Sequence, residues 1–328
     1  MDDGPRPDPF SSNLRHVTPR PPVRRTRAQI VSELEAQRLH FRTFEIVHDS
    51  QHAIADWDWN QRDLPHIPFV HGGFRLAPGV AEEGLAAGVY VQRILGVRLP
   101  IAVSFHHLHE SPRARVYQAA LGPLVVVIGA EIAPISSGTR VSTVYSVGSL
   151  PAMRPLLPAA EWLLRRNYQR LTQEDEPLRA RRRRLRGWGY SFAADNEGAS
   201  YARSLDLGRA NVTFPEVRVS PGQVNVGPRD REILIGRDDH LGLRISAAGP
   251  HDPILVFPRL CAHEGASLDG CAVRKGMVVC PWHGRRIAPV ATFDRRAPCT
   301  QVRETAHHRL ELAGEVLRVG PRGSGTGS

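Results

Sequence analysis

Apolar residues first recur with a regular period at about residue 28. Residues 1–27 are rich in Pro, Arg, Asp and Ser and are expected to be disordered. "RAQIVSELEAQRLHF" then reads as a short amphipathic helix with Ile30, Leu34 and Leu39 near one face. From about 41 to 150 the chain offers six β-prone runs: "FRTFEIV", "GVYVQRILGV", "IAVSFHHLH", "ARVYQAAL", "LVVVIGAEIAP" and "RVSTVYSVGSL". Between the first two lies a segment, 50–75, dense in Asp, Trp and His. One long helical run follows, "PLLPAAEWLLRRNYQRLTQEDEPLRARRRRLRGW", with Trp162, Leu163, Tyr168 and Leu171 as its apolar stripe. Strands followed by one long helix predict an α+β layer over 28–187, a curved sheet gripping a helix. Residues 188–214 read as a linker. From 215 to 320 short strands return ("EVRVS", "EILIG", "LGLRIS", "PILVFP", "GMVVC", "RLELAGEVLRV"), predicting an all-β second domain. The tail 321–328, "PRGSGTGS", is expected to be flexible.

Composition narrows the class. A chain of 328 residues is comfortable for two domains. Its most apolar stretches are either interrupted by charge or too short to span a bilayer, and its opening residues do not read as a signal peptide. A soluble, cytoplasmic protein is expected. Four cysteines, all after residue 260, are too few to staple the chain and fit ligands or free thiols better. The net charge of +10 comes from 42 arginines and a single lysine, Lys275, a bias that reflects GC-rich coding as much as guanidinium chemistry. It favours an acidic partner or an anionic surface, including peripheral contact with a membrane. The block "RARRRRLR" at 179–186 offers a docking site for an acidic ferredoxin or a membrane, or is simply a solvated helix face. No nucleic-acid-binding module accompanies it.

Two motifs carry chemistry. "CAHEGASLDGCAVRKGMVVCPWHG" places Cys261 and His263 two apart and Cys280 and His283 three apart. Two thiolates and two imidazoles hold either one tetrahedral Zn²⁺ or a [2Fe–2S] cluster with cysteines on one iron and histidines on the other. Flanking β-runs, Gly265, Gly284 and Pro281 favour the cluster. "DLPHIPFVH" places Asp63, His66 and His71 in the pattern Asp-x-x-His-x(4)-His. Two histidines five apart can converge on one metal, and with one more carboxylate they make the 2-His-1-carboxylate face of non-haem iron sites. In "LTQEDEPLRA" that carboxylate is expected from Asp175, with Glu174, Glu176 and Glu161 as alternatives. "FHHLHE" is a weaker pattern: His107 and His109 are expected to line a cavity or face solvent rather than bind metal. Cys271 and Cys299 read as inert.

The C-terminal stretch resembles the Rieske motif, and "RDLPHIPFVHGG" closely resembles the mononuclear-iron motif of Rieske non-haem iron oxygenases. Ala266 and Trp282 stand where respiratory Rieske proteins carry an extra cysteine pair, so the likeness is to the lower-potential oxygenase kind. The resemblance implies a START-like helix-grip catalytic domain, followed here by an all-β Rieske domain. That order is the reverse of familiar members. It implies iron at His66, His71 and Asp175. Asp63 would bridge iron ligand His66 and cluster ligand His283 by hydrogen bonds, giving a short electron path. Further implications are an apolar, polycyclic or isoprenoid substrate, O₂, NAD(P)H electrons through a separate reductase or ferredoxin, and a homo-oligomer, by analogy a trimer. A carrier that fuses a Rieske ferredoxin to a START-like lipid-binding domain is the alternative. A zinc-stabilised scaffold is a weaker third reading.

Overall fold

The computed structural model describes residues 24–72, 74–94, 97–108, 113–195, 200–227, 232–247, 249 and 251–323. Of the expected disordered start (1–27), residues 1–23 lie outside these residues, as do His109 and most of the tail; residues 24–27 are described, and Thr26 and Arg27 open the first helix.

The first helix, α1 (Arg27–Ala36), opens on Thr26, whose hydroxyl accepts from the Gln29 amide while Gln29 reaches back to the Thr26 amide. Strands β1 (His40–Ser50), β2 (Phe74–Glu82), β3 (Leu85–Ile94), β4 (Val97–His107), β5 (Ala114–Leu121), β6 (Leu124–Ile135) and β7 (Gly138–Ser149) form one antiparallel sheet in the order β1-β7-β6-β5-β4-β3-β2. Between β1 and β2 the chain makes α2 (Ile54–Arg62) and α3 (Ile67–Val70), joined by a single 3₁₀ turn at Leu64–His66. The long helix α4 (Leu157–Gly187) crosses the other side of the sheet from α1. Alternation along β6 serves both layers: Val127 packs on Ile30 and Val31 of α1, while Val126 and Ile128 face Ala160, Leu164 and Tyr168 of α4. This is the helix-grip architecture expected for the N-terminal part.

Three details differ from expectation. A seventh strand, β2, was not expected because Pro78 and Gly79 interrupt its run. An edge strand tolerates the proline, and the register shifts between Pro78 and Val80. On α4 the expected stripe meets the sheet at Tyr168 but not at Trp162 and Leu163. Trp162 and Leu163 are 61% and 43% exposed, while Ala160, Leu164 and Tyr168, at intervals of four, meet the sheet. "EVRVS" at 216–220 forms no strand.

The connector pairs β8 (Ser191–Phe192) with β9 (Val212–Thr213). The C-terminal domain is all-β. Strands β10 (Gly222–Asn225), β18 (Gln301–Glu304), β19 (His308–Ala313) and β20 (Val316–Pro321) make one sheet, ordered β10-β20-β19-β18. Strands β11 (Ile233–Ile235), β12 (Leu243–Ser246), β13 (Ile254–Pro258) and β17 (Ala291–Phe293) make a second, and Leu310, Leu312 and Leu317 of the first sheet pack on Ile245, Ile254 and Val256 of the second. A small third sheet, β14 (Val273–Arg274), β15 (Met277–Val279) and β16 (Arg286–Ile287), carries the second Cys-His pair on the turn after β15. No helix among the described residues is long and apolar enough to cross a membrane.

Candidate metal centres

The two Cys-His loops are built alike. In each, the glycine four residues after the cysteine donates its amide to the cysteine carbonyl: Gly265 to Cys261 and Gly284 to Cys280, both at 2.9 Å. Each cysteine amide in turn donates five residues onward, Cys261 to Ala266 at 2.9 Å and Cys280 to Arg285 at 2.8 Å. The turn needs a left-handed residue at its close, and both glycines supply it, with φ of +85° and +67°. The loops face each other so that His263 Nδ1 lies 3.1 Å from His283 Nδ1, and both cysteines are buried free thiols. A hydrogen bond from the Cys280 thiol pulls Cys261 down to about 6, while the same pairing pushes Cys280 up. Burial lowers His263 to about 4, so its imidazole is neutral and able to ligate at neutral pH. Two thiols and two imidazoles presenting Nδ1 to a shared space, in a buried pocket, fit a [2Fe–2S] cluster. Cys271 and Cys299 lie outside this set, one half-buried and one exposed.

The second centre forms where the 3₁₀ turn, α3 and the middle of α4 meet. His66 Nε2 and His71 Nε2 are 3.2 Å apart, and Asp175 Oδ1 lies 3.3 Å from the first and 3.2 Å from the second. All three side chains are buried. Asp175 Oδ1 has no hydrogen-bond partner among the described residues, although both imidazole nitrogens lie within 3.3 Å of it. Burial alone would raise the Asp175 carboxyl, but His66 and His71 outweigh it and hold it well below the usual range. Burial also opposes protonation of His66 and His71, and Asp175 overrides it in both. An ionised, buried carboxylate beside two imidazole Nε2 atoms is a donor set that holds a cation once the imidazoles give up their protons. The spacing fits one face of ligands about 2.1 Å from an ion. Of the alternative carboxylates, Glu174 accepts from His71 Nδ1 at 2.8 Å, Glu176 pairs with His52 at 2.6 Å, and Glu161 bonds Arg42 and Arg165. Glu174 therefore orients His71 from behind, the carboxylate–histidine arrangement common at metal sites.

Asp63 stands between the centres. Its Oδ2 accepts from His283 Nε2 at 2.7 Å. Its main-chain carbonyl accepts from His66 Nδ1, with Oδ2 itself 3.8 Å from that nitrogen. The bridge expected through one carboxylate is thus split between carboxylate and backbone. Burial pushes the Asp63 carboxyl up, but His283 outweighs it and the group stays below its ordinary range. His107 of the weaker "FHHLHE" pattern does not face solvent and joins no metal cluster among the described residues. It is buried against Tyr201, ring centroids 5.1 Å apart.

The arginine block is the feature sequence reading placed least well. Arg179, Arg181 and Arg182 are buried and engaged within the chain, whereas Arg183 and Arg184 are exposed. Their partners come from α4 itself, α2, the connector and the C-terminal domain. Between the sheet and α4 lies an apolar cavity of about 300 Å³, lined by residues such as Ile101, Leu124, Val126 and Leu164, with Asn167 and Arg170 at its polar end.

Residues 215–309 match the family described as "Rieske [2Fe-2S] domain". This part of the chain is a Rieske domain, a module that carries electrons one at a time, and Cys261, His263, Cys280 and His283 lie within the match. No curated protein matches the sequence. Among solved structures, the chain is similar to Ara h 8.0201 (12% identity, 42% of this chain and 97% of that one, TM-score 0.36). It is also similar to a protein from Thermus thermophilus (14%, 41% and 93%, TM-score 0.34). A third is StfQ, a di-domain ARO/CYC from the steffimycin biosynthetic pathway (14%, 44% and 51%, TM-score 0.37).

Proposed function

We propose that the chain is a Rieske-type non-haem iron monooxygenase. The observation that carries this reading is the convergence of His66, His71 and Asp175 on one point, next to an aspartate that is hydrogen-bonded to a Rieske-ligand histidine. A carrier that only binds a lipid has no use for such a triad. Bound there, iron would supply O₂ activation at coordination positions the three protein ligands leave open. The balance of the reaction is one oxygen atom into a substrate C–H bond and the other into water, using two electrons and two protons. NAD(P)H electrons would reach the cluster through a separate reductase or ferredoxin. Demethylation or desaturation would draw on the same equivalents.

The protein groups have definable tasks. Glu174 fixes the tautomer of His71, leaving Nε2 free to ligate. The Asp63 carbonyl does the same for His66. The Asp63 carboxylate holds the Nε2 proton of His283 and so links the two centres. The apolar cavity would exclude water from a hydrophobic substrate, with Asn167 and Arg170 meeting its polar end. Arg170 also lies 3.6 Å from Glu174, which places the cavity one residue away from the outer partner of an iron ligand.

The test is iron and sulfide per chain after anaerobic purification, in the native protein and in His66→Ala/His71→Ala. Roughly three irons and two acid-labile sulfides are expected, falling to about two irons in the variant with the visible Rieske spectrum retained. Equal iron in both proteins, with added Fe(II) also failing to bind, would support the carrier instead. O₂ uptake with apolar candidates then identifies the substrate.

A further inference from the structure

Helix α4 reaches both centres. Asp175 of the triad lies at its middle, and about two turns later the same helix grips the first cluster-ligand loop. Arg182 Nη1 donates to Glu264 Oε2 at 2.7 Å, and Glu264 adjoins ligand His263. The same guanidinium donates to Asp195 at 3.0 Å and to Asp56 at 3.3 Å. It is fully buried between Trp59 and Phe192, 4.1 and 3.7 Å from their ring centroids. Arg181 Nε donates to the Gly265 carbonyl, the end of that loop, at 3.0 Å. The glycines of both loops are pressed against the N-terminal part. A Cβ on Gly265 would come within 2.7 Å of Leu185 Cδ1, and one on Gly284 within 2.3 Å of Phe69 Cζ in α3. Trp282, beside His283, packs on Trp59 of α2 with centroids 5.7 Å apart.

The connector that follows α4 runs directly into this seam: β8 pairs with β9, and the Asn211 amide donates to the Ala262 carbonyl of the first ligand loop at 3.0 Å. A buried guanidinium with three carboxylates is weak evidence for stability, because desolvation consumes most of the attraction. With each of its three nitrogens donating to a different carboxylate, the Arg182 guanidinium does fix geometry, and the planar fork of arginine suits that task where lysine does not.

We infer that Arg182, assisted by Arg181, is a positioning residue that locks the Rieske ligand loops onto the iron site of the same chain, so that electron transfer is intramolecular and one chain is a complete redox unit. The inference rests on the oxygenase reading. In the step, one electron leaves the reduced cluster and enters the mononuclear centre of the same chain. A donor protein, or dithionite in the test, supplies the electron, and O₂ is the final acceptor.

The experiment follows cluster absorbance when dithionite-reduced, iron-loaded protein is mixed with O₂. A first-order phase is expected whose rate constant is unchanged on dilution, including at concentrations where sedimentation shows only monomer. Arg182→Met is expected to keep its iron, its sulfide and the EPR spectrum of the reduced cluster, yet reoxidise at least about tenfold more slowly. A merely structural role would instead lower cluster content. Should that variant fail to fold, Arg181→Met, which breaks a single contact to the loop, is expected to slow the same phase. Mixing reduced His66→Ala/His71→Ala with iron-loaded Cys280→Ser should give no acceleration. If Cys280→Ser does not fold, the dilution series decides. Acceleration on mixing, or a rate that vanishes on dilution, overturns the inference and leaves the oxygenase reading standing. Equal reoxidation of native protein and His66→Ala/His71→Ala removes the oxygenase reading itself.

Discussion

Asp175 and Glu174 are neighbours in sequence with different work to do. Asp175 points its Oδ1 at both Nε2 atoms, while Glu174 reaches the far nitrogen of His71. Glu174→Gln keeps the shape and loses the charge, so it should weaken Fe(II) binding about 10–100-fold while leaving the cluster spectrum unchanged. Asp175→Asn should abolish tight binding. Anaerobic Fe(II) titration separates the two, and equal losses would mean that Glu174 is itself a ligand. The same pair shows what a sequence can disclose. The Cys-His loops and the His66/His71 pair were legible because each ligand set lies within a few residues. The role of Glu174 was not: its partner is 103 residues away, and the neighbouring Asp175, no nearer, stood out only through the family resemblance. The arginine block was legible as charge but not as burial. Arg182 finds Asp56, Asp195 and Glu264 on three separate segments, and only the fold brings them together.

The elements that meet at the interface are a short helix and two glycine-closed loops. Gly284 combines a left-handed backbone, φ +67°, with a close approach to Phe69, which is half exposed despite lying between His66 and His71 in the sequence. Gly284→Ala therefore carries two separable costs. The backbone term is about 1–2 kcal/mol for an L residue in that region, and the clash with Phe69 adds to it. Phe69→Ala should relieve the second and not the first. The double variant is thus expected to be more stable than Gly284→Ala alone, with a coupling above about 0.5 kcal/mol. Denaturant unfolding of the four proteins measures it, and additive effects would show that the loop does not press on α3. Element boundaries were legible where the apolar run was unbroken, as in β6, or alternated, as in β7. The edge strand β2 was hidden by Pro78, and the face of α4 was misread at Trp162 and Leu163, which are apolar yet outside the core.

At the scale of the molecule, the sequence shows two domains, but the packing joins them through one shared apolar cluster. Trp59 of α2 and Leu178 of α4 lie in the same buried cluster as Phe257, Leu268, Val278, Cys280 and Trp282 of the Rieske domain. A core that crosses a domain boundary couples the stability of both sides, because neither can open without exposing the other's apolar surface. Bleaching of the cluster and loss of the sheet's circular dichroism should therefore coincide on heating, compared at one scan rate because cluster loss is irreversible. Trp59 is 1% exposed, and Arg182 stacks on its ring 4.1 Å from the centroid. Trp59→Ala leaves a cavity costing about 3–5 kcal/mol and removes the surface that supports the arginine clamp. Both signals should move down together in that variant. Two separated transitions in the native protein, or a variant in which bleaching alone moves, would mean that the domains are stable independently and that the clamp acts on a loose contact. A single shared transition is what the proposed transfer between the two centres would require, because that transfer depends on the 2.7 Å contact between Asp63 and His283.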